Sequence, residues 1–97
     1  MSDNPEQGID ISHEPGQQRF SAMVEGHQAR VDYVLAEPVM RITHTVVPEA
    51  IGGRGIAGRL VKAALEHARA KGWKVRPECS YADAWMEKHP EYAGLRA

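Results

Sequence analysis

Between Val47 and Ile56 the chain changes period, and that change limits the possible folds more than any other feature. Before it, apolar residues alternate. Phe20, Ala22 and Val24 share one face, Gly26-His27 marks a turn, and Ala29, Val31, Tyr33 and Leu35 share the next face. Glu37-Pro38 interrupts the second run, and VMRITHTVV from Val39 to Val47 is β-branched enough for a third strand. Strands joined this closely form an antiparallel meander. After the change, Ile56, Leu60, Val61, Ala64, Leu65 and Ala68 fall on one face of a helix that closes at Lys71-Gly72.

The remainder completes an α+β pattern. WKVRPEC, Trp73 to Cys79, reads as a short fourth strand. A strand–helix–strand connection crosses over right-handedly, so the third and fourth strands are expected to be parallel. Ser80 is placed to cap a short helix to about Lys88, with His89 to Leu95 wrapping the end. The expected architecture is a mixed sheet: an antiparallel meander, a β-α-β crossover and a short C-terminal helix. Met1 to Gln17 is polar and contains Pro5 and Pro15, and reads as a flexible arm with Ile9 and Ile11 packing locally; 18–97 reads as one domain.

Bulk properties narrow the function classes. A chain of 97 residues makes one small domain, with one helix layer on one sheet. A net charge of −1 gives no global field for nucleic acid, and argues against reading Arg54, Arg59, Lys62 and Arg69 as a nucleic-acid patch. The one cysteine, Cys79, excludes an internal disulfide framework and suits a reducing compartment. No apolar run approaches the roughly 20 residues of a membrane span, and the N-terminus is unlike a signal peptide. These features lead to the expectation of a cytoplasmic protein without a membrane partner. His13, His27, His67 and His89 show no metal-ligand spacing, so no metal is expected.

The passage between the two periods, EAIGGRGIAGRLVKAAL, holds glycines at Gly53, Gly55 and Gly58. This is a literal G-x-G-x-x-G, with Glu78 downstream, but the dinucleotide reading fails on context. Three strands precede the glycines, Pro48 to Ile51 intervenes, and too little chain follows for a second mononucleotide half. The P-loop reading fails on chemistry, because Leu60 stands where a hydroxyl must hold Mg²⁺. Both motifs share a helix N-terminus whose amides and dipole favour an anion without any metal. Between two parallel strands, such a loop suits the pyrophosphate of a coenzyme.

With those residues in view, GGRGIA (Gly52 to Ala57) resembles the acyl-CoA loop of the GCN5-related N-acetyltransferases, with Gly52 where that family usually has Gln or Arg. The stretch from Ile42 to Tyr92, with its H-T-x-V strand, glycine loop, PECSYADAW and HPEY, is similar to a minimal branch of the family. The resemblance implies that Thr45, Val46 and Val47 offer backbone groups to the acyl-pantetheine arm. It implies that Gly53, Arg54, Gly55, Ile56, Ala57 and Gly58 wrap the pyrophosphate, helped by Arg54 or Arg59, and that Cys79 ends the strand across the cleft. The cofactor would be acetyl-CoA or CoA.

Acetyl transfer to an amine needs a neutral amine, a donor for the oxyanion and a proton for the leaving thiolate. His44 is a candidate base, placed by simple alternation on the face of Ile42 and Val46. Cys79, beside a helix start, is a candidate nucleophile or proton donor. Tyr81 and Tyr92 are further donors, and Glu49 and Glu78 further bases; Trp73 and Trp85 read as packing side chains. The expected function is acetyl-CoA-dependent N-acetyl transfer to a primary amine, on a small molecule or protein lysine. The alternative is a non-catalytic CoA-binding module or sensor. A monomer or weak dimer is expected.

Overall fold

A computed structural model describes residues 9–97. The sheet has five strands in the order of the chain: β1 (Ile11–Glu14), β2 (Arg19–Val24), β3 (His27–Ala36), β4 (Val39–Val46) and β5 (Lys74–Pro77). The first four pair antiparallel, and β5 lies parallel to β4, from Val39↔Lys74 to Ile42↔Pro77. Helix α1 (Ile56–Lys71) makes the crossover, and α2 (Ser80–Glu87) follows β5, with a 3-10 turn at Pro90–Leu95. The fold is thus α+β with a mixed sheet, as the two periods predict.

One layer of helices covers one face of the sheet. Ile56, Leu60, Val61, Ala64, Leu65 and Ala68 of α1 are all buried, against Phe20, Val31, Tyr33, Met40, Ile42 and Val75. Each large aliphatic side chain so buried contributes about 1.5–3 kcal/mol relative to exposure. The opposite face carries ion pairs, Glu14–Arg19, Arg30–Asp32 and Arg41–Glu78, and the exposed Met23 and Val34.

Three features depart from the sequence reading. Ile11–Glu14, expected within a flexible arm, adds an edge strand, with Ile11 opposite Ala22 and His13 opposite Phe20 on the helix side. The N-terminal eight residues of that arm lie outside the described residues. The β2–β3 hairpin turns on Glu25-Gly26, both left-handed (φ 52° and 79°), so His27 already belongs to β3. The N-cap of α2 is Cys79, with extended backbone, and Ser80 is the first helical residue.

Candidate functional site

The site begins where the sheet comes apart. Pairing of β5 with β4 ends at Ile42↔Pro77, yet β4 runs on through Thr43, His44, Thr45 and Val46. The carbonyl of Ile42 accepts from both Glu78 N (2.9 Å) and Cys79 N (3.0 Å), and the chain then turns into α2. A wedge opens between the last residues of β4 and the start of α2. The Cys79 thiol spans it, donating to Thr45 Oγ1 at 3.4 Å.

A bulge decides which β4 side chains face that wedge. The partner of Asp32 is His44, but the partner of Tyr33 is Ile42, so Thr43 is an extra residue on β4. Directly opposed residues share a face. Thr45, opposite the buried Val31, therefore points to the α1 side, while His44 and Val46, opposite Asp32 and Arg30, point away. The expectation that His44 shares a face with Ile42 is overturned. An inserted residue shifts the two-residue period, and no alternation count detects it. The exposed His44 ring contacts the Thr43 hydroxyl at 3.1 Å.

The glycine loop delivers an unsatisfied helix end. Gly53 and Gly55 take left-handed backbone (φ 76° and 75°), and Gly55 is the N-cap of α1, with no side-chain cap and no acidic residue in the first turn. The amides of Ile56, Ala57 and Gly58 precede any intrahelical acceptor, so they remain available to an anion. Beside them lies a cavity of about 620 Å³ whose lining includes Gly55, Gly58, Arg59, Lys62, Tyr81 and Trp85.

The two loop arginines behave differently. Arg54 is engaged, its guanidinium donating twice to Glu25 at 2.8 and 3.1 Å. Arg59 enters no ion pair among the described residues, and its Nε is buried without a hydrogen-bond partner. Both arginines line the cavity, but Arg54 reaches it already paired with Glu25, which leaves Arg59 as the loop arginine without an ion pair among the described residues. Gly58 carries a packing role that the sequence did not suggest: a Cβ there would meet Trp85 Nε1 at 2.9 Å and the Tyr81 hydroxyl at 3.4 Å. Its missing side chain lets α2 lie against the first turn of α1.

The remaining candidates separate cleanly. Tyr81 lines the cavity, and burial, with the neighbouring Cys79, pushes its phenol above the usual tyrosine range, so it stays a proton donor. Tyr92 is buried; desolvation and its hydrogen bond to Glu66 raise it to about 12, and Arg69 packs over its ring at 4.8 Å, a structural arrangement. Glu78 is paired with Arg41 at 2.7 Å, which holds its carboxyl below the usual range, and Glu49 is exposed in the turn before the loop. Trp85 stacks on His89 at 3.6 Å and forms cavity wall, a role hidden in the sequence because its partner Gly58 lies in another element.

Residues 19–95 match the model of the GCN5-related N-acetyl-transferase family. The human protein NATD1 (Homo sapiens) is 32% identical over 91 residues, covering 88% of this chain and 80% of that one. NATD1 of Mus musculus is 33% identical over 91 residues, covering 88% and 82%. The solution structure of a GCN5-like putative N-acetyltransferase from Staphylococcus aureus superimposes with a TM-score of 0.73 at 27% identity, covering 91% of this chain and 87% of that one. No helix among the described residues is long and apolar enough to cross a membrane.

Proposed function

The chain belongs to the GCN5-related N-acetyltransferase family, and from that premise we propose that it binds acetyl-CoA and passes the acetyl group to a primary amine. The observation that carries the reading is the cavity beside the uncapped N-terminus of α1, which reaches Tyr81 at the start of α2. The pyrophosphate sits on the first-turn amides with Arg59 as counter-charge, and Lys62 on the rim. The pantetheine arm runs into the wedge and pairs with the free edge of β4 around Thr45, Val46 and Val47, as an added strand would.

The thioester then lies near Thr45, Cys79 and Tyr81. A free alkylamine has a pKa near 10.4 and must lose a proton before it attacks. His44, on the face away from α1, takes that proton from an amine arriving across the uncovered side of the sheet. The amine nitrogen bonds to the thioester carbon, the carbonyl becomes an oxyanion, and the C–S bond breaks as the oxyanion collapses, the extra proton on nitrogen leaving to solvent to give the amide. Tyr81 gives its proton to the departing thiolate, a role that suits a phenol held neutral. Cys79 holds Thr45 and closes the wedge.

Titration calorimetry with acetyl-CoA and CoA, followed by mass spectrometry of a panel of amines, tests this. Binding with amide formation above the uncatalysed background is expected, and Cys79→Ala retains turnover. An acetylated Cys79 whose loss abolishes turnover would replace direct transfer by a covalent relay. Binding without turnover would leave a CoA-binding module, and no binding at hundreds of micromolar would overturn the reading altogether.

A further inference from the structure

The far end of α1 holds a second cavity, of about 590 Å³, that acetyl transfer does not use. Its walls are rings. His13 of β1 lies flat on Phe20, with centroids 4.2 Å apart and planes 6° from parallel, and shares a hydrogen bond with the Tyr33 hydroxyl. His67 of α1 meets His13 edge-on at 4.5 Å and Trp73 at 5.4 Å. Lys71, one helical turn beyond His67, reaches the same rim.

Among the described residues, none of His13, His67 and Lys71 forms an ion pair. Burial first, then mutual repulsion with His67 and with Lys71, lowers the proton affinity of His13; burial and Lys71 do the same to His67. Glu37, exposed at the β3–β4 turn, is the one carboxylate among the lining residues, and Glu14 faces the other side of the sheet, paired with Arg19. Lys71 forms no ion pair among the described residues. The cavity combines flat apolar ring faces with imidazole N–H donors and an unneutralised ammonium. Its volume lies within the usual range for a small-molecule site, about 300–1,000 Å³.

We propose that this cavity binds an aromatic carboxylate, its ring packed on Trp73 and His67 and its carboxylate held by Lys71 and the imidazoles. The site is separate from acetyl transfer. At 1.5 Å per residue, Lys71 lies about 20 Å along α1 from Gly58, so this cavity and the pyrophosphate site stand at opposite ends of the helix. The strand β1 touches both cavities, Ile11 lining the first and His13 the second, so an occupant here also fixes one wall of the coenzyme site.

The test is an NMR titration of the imidazole signals with indole-3-acetate, with indole and acetate as half-probes. Indole-3-acetate is expected to shift the His13 and His67 signals and raise the pKa of both. Its affinity is expected to fall as pH rises from about 5.5 to 8, because a carboxylate favours the imidazolium forms. Each half-probe binds about ten-fold more weakly. Lys71→Gln, an exposed change that leaves the fold intact, weakens indole-3-acetate about five-fold, while Arg59→Gln at the other end of α1 has no effect. No shift at about 5 mM, equal response to acetate or indole alone, or undiminished affinity in Lys71→Gln would overturn the proposal. Acetyl-CoA calorimetry on the same samples is read separately, so failure here leaves the transferase reading standing.

Discussion

The two ends of α1 are built from the same backbone element and finished in opposite ways. At the C-terminal end Gly72 is left-handed, its amide bonds back to Ala68 and Arg69, and Trp73 N donates to Ala68 O at 2.9 Å. At the N-terminal end Gly55 is also left-handed, but no side chain caps the helix. Helices are ordinarily capped because orphan amides cost free energy when no solvent or ligand meets them. One end is closed for stability, and the other stays open beside a cavity with Arg59 and Lys62 at its rim. The difference between the two ends marks the site more sharply than a left-handed glycine, which occurs at both.

The comparison is broken most severely by removing the donor that the open end presents. Tyr81→Phe keeps the ring that packs against Gly58 but removes the proton for the leaving thiolate. Turnover is expected to fall about 100-fold with acetyl-CoA affinity unchanged. Steady-state kinetics beside calorimetry check this; a parallel loss of affinity would mean that Tyr81 only shapes the wall. Arg59→Gln acts on binding itself, and acetyl-CoA affinity is expected to drop about ten-fold, near 1.4 kcal/mol, with little change in unfolding midpoint. An unaltered dissociation constant would remove Arg59 from the pyrophosphate contact.

The sharpest comparison uses two glycines with the same backbone. Gly55 and Gly72 both have φ 75°, and a Cβ at either would meet nothing within 4 Å. Replacing either by Ala therefore costs only the left-handed conformation, about 1 kcal/mol, read as equal losses in urea unfolding. Function should separate them. Gly55→Ala is expected to weaken acetyl-CoA about five-fold by turning the first-turn amides, and Gly72→Ala leaves affinity alone. Equal effects on affinity would deny the two ends different work.

Much of the fold was legible because packing preserved the periods. The six α1 residues that recur with helical spacing are the six that the helix buries, and the parallel β4–β5 pair follows from the length of the crossover. What escaped was local and polar. Ile11–Glu14 is a four-residue edge strand whose sequence, ISHE, has only one apolar residue, and its stability comes from pairing with β2. The Thr43 bulge leaves no mark in composition, yet it carries His44 to the opposite face from Ile42. His67 stands out in the sequence only as a histidine without metal-ligand spacing, because its neighbour His13 comes from a segment expected to be flexible. In the candidate site the loop glycines were visible as a pattern. The choice between Arg54 and Arg59 was not, since it depends on Glu25 in a hairpin distant in sequence.

That choice supplies the smallest and most diagnostic change. Glu25 and Arg54 are both exposed, at 64% and 43% of their side-chain surface, so their pair contributes little to stability. Its consequence is to neutralise a second cation that lines the cavity at the open helix end. Glu25→Gln is expected to release Arg54 and strengthen acetyl-CoA binding about two-fold, an effect that fades in high salt as exposed charges are screened. The hydrogen bond from Arg54, and then its charge, lower the Glu25 pKa, so the pair is intact at neutral pH and is lost as pH falls through that lowered value. The gain in Glu25→Gln should accordingly be full near pH 7 and narrow on acidification, because the parent protein then loses the same restraint. A variant that binds no better at low salt and neutral pH would show that Arg54 serves the β2–β3 turn alone, leaving Arg59 and the first-turn amides as the whole of the phosphate contact.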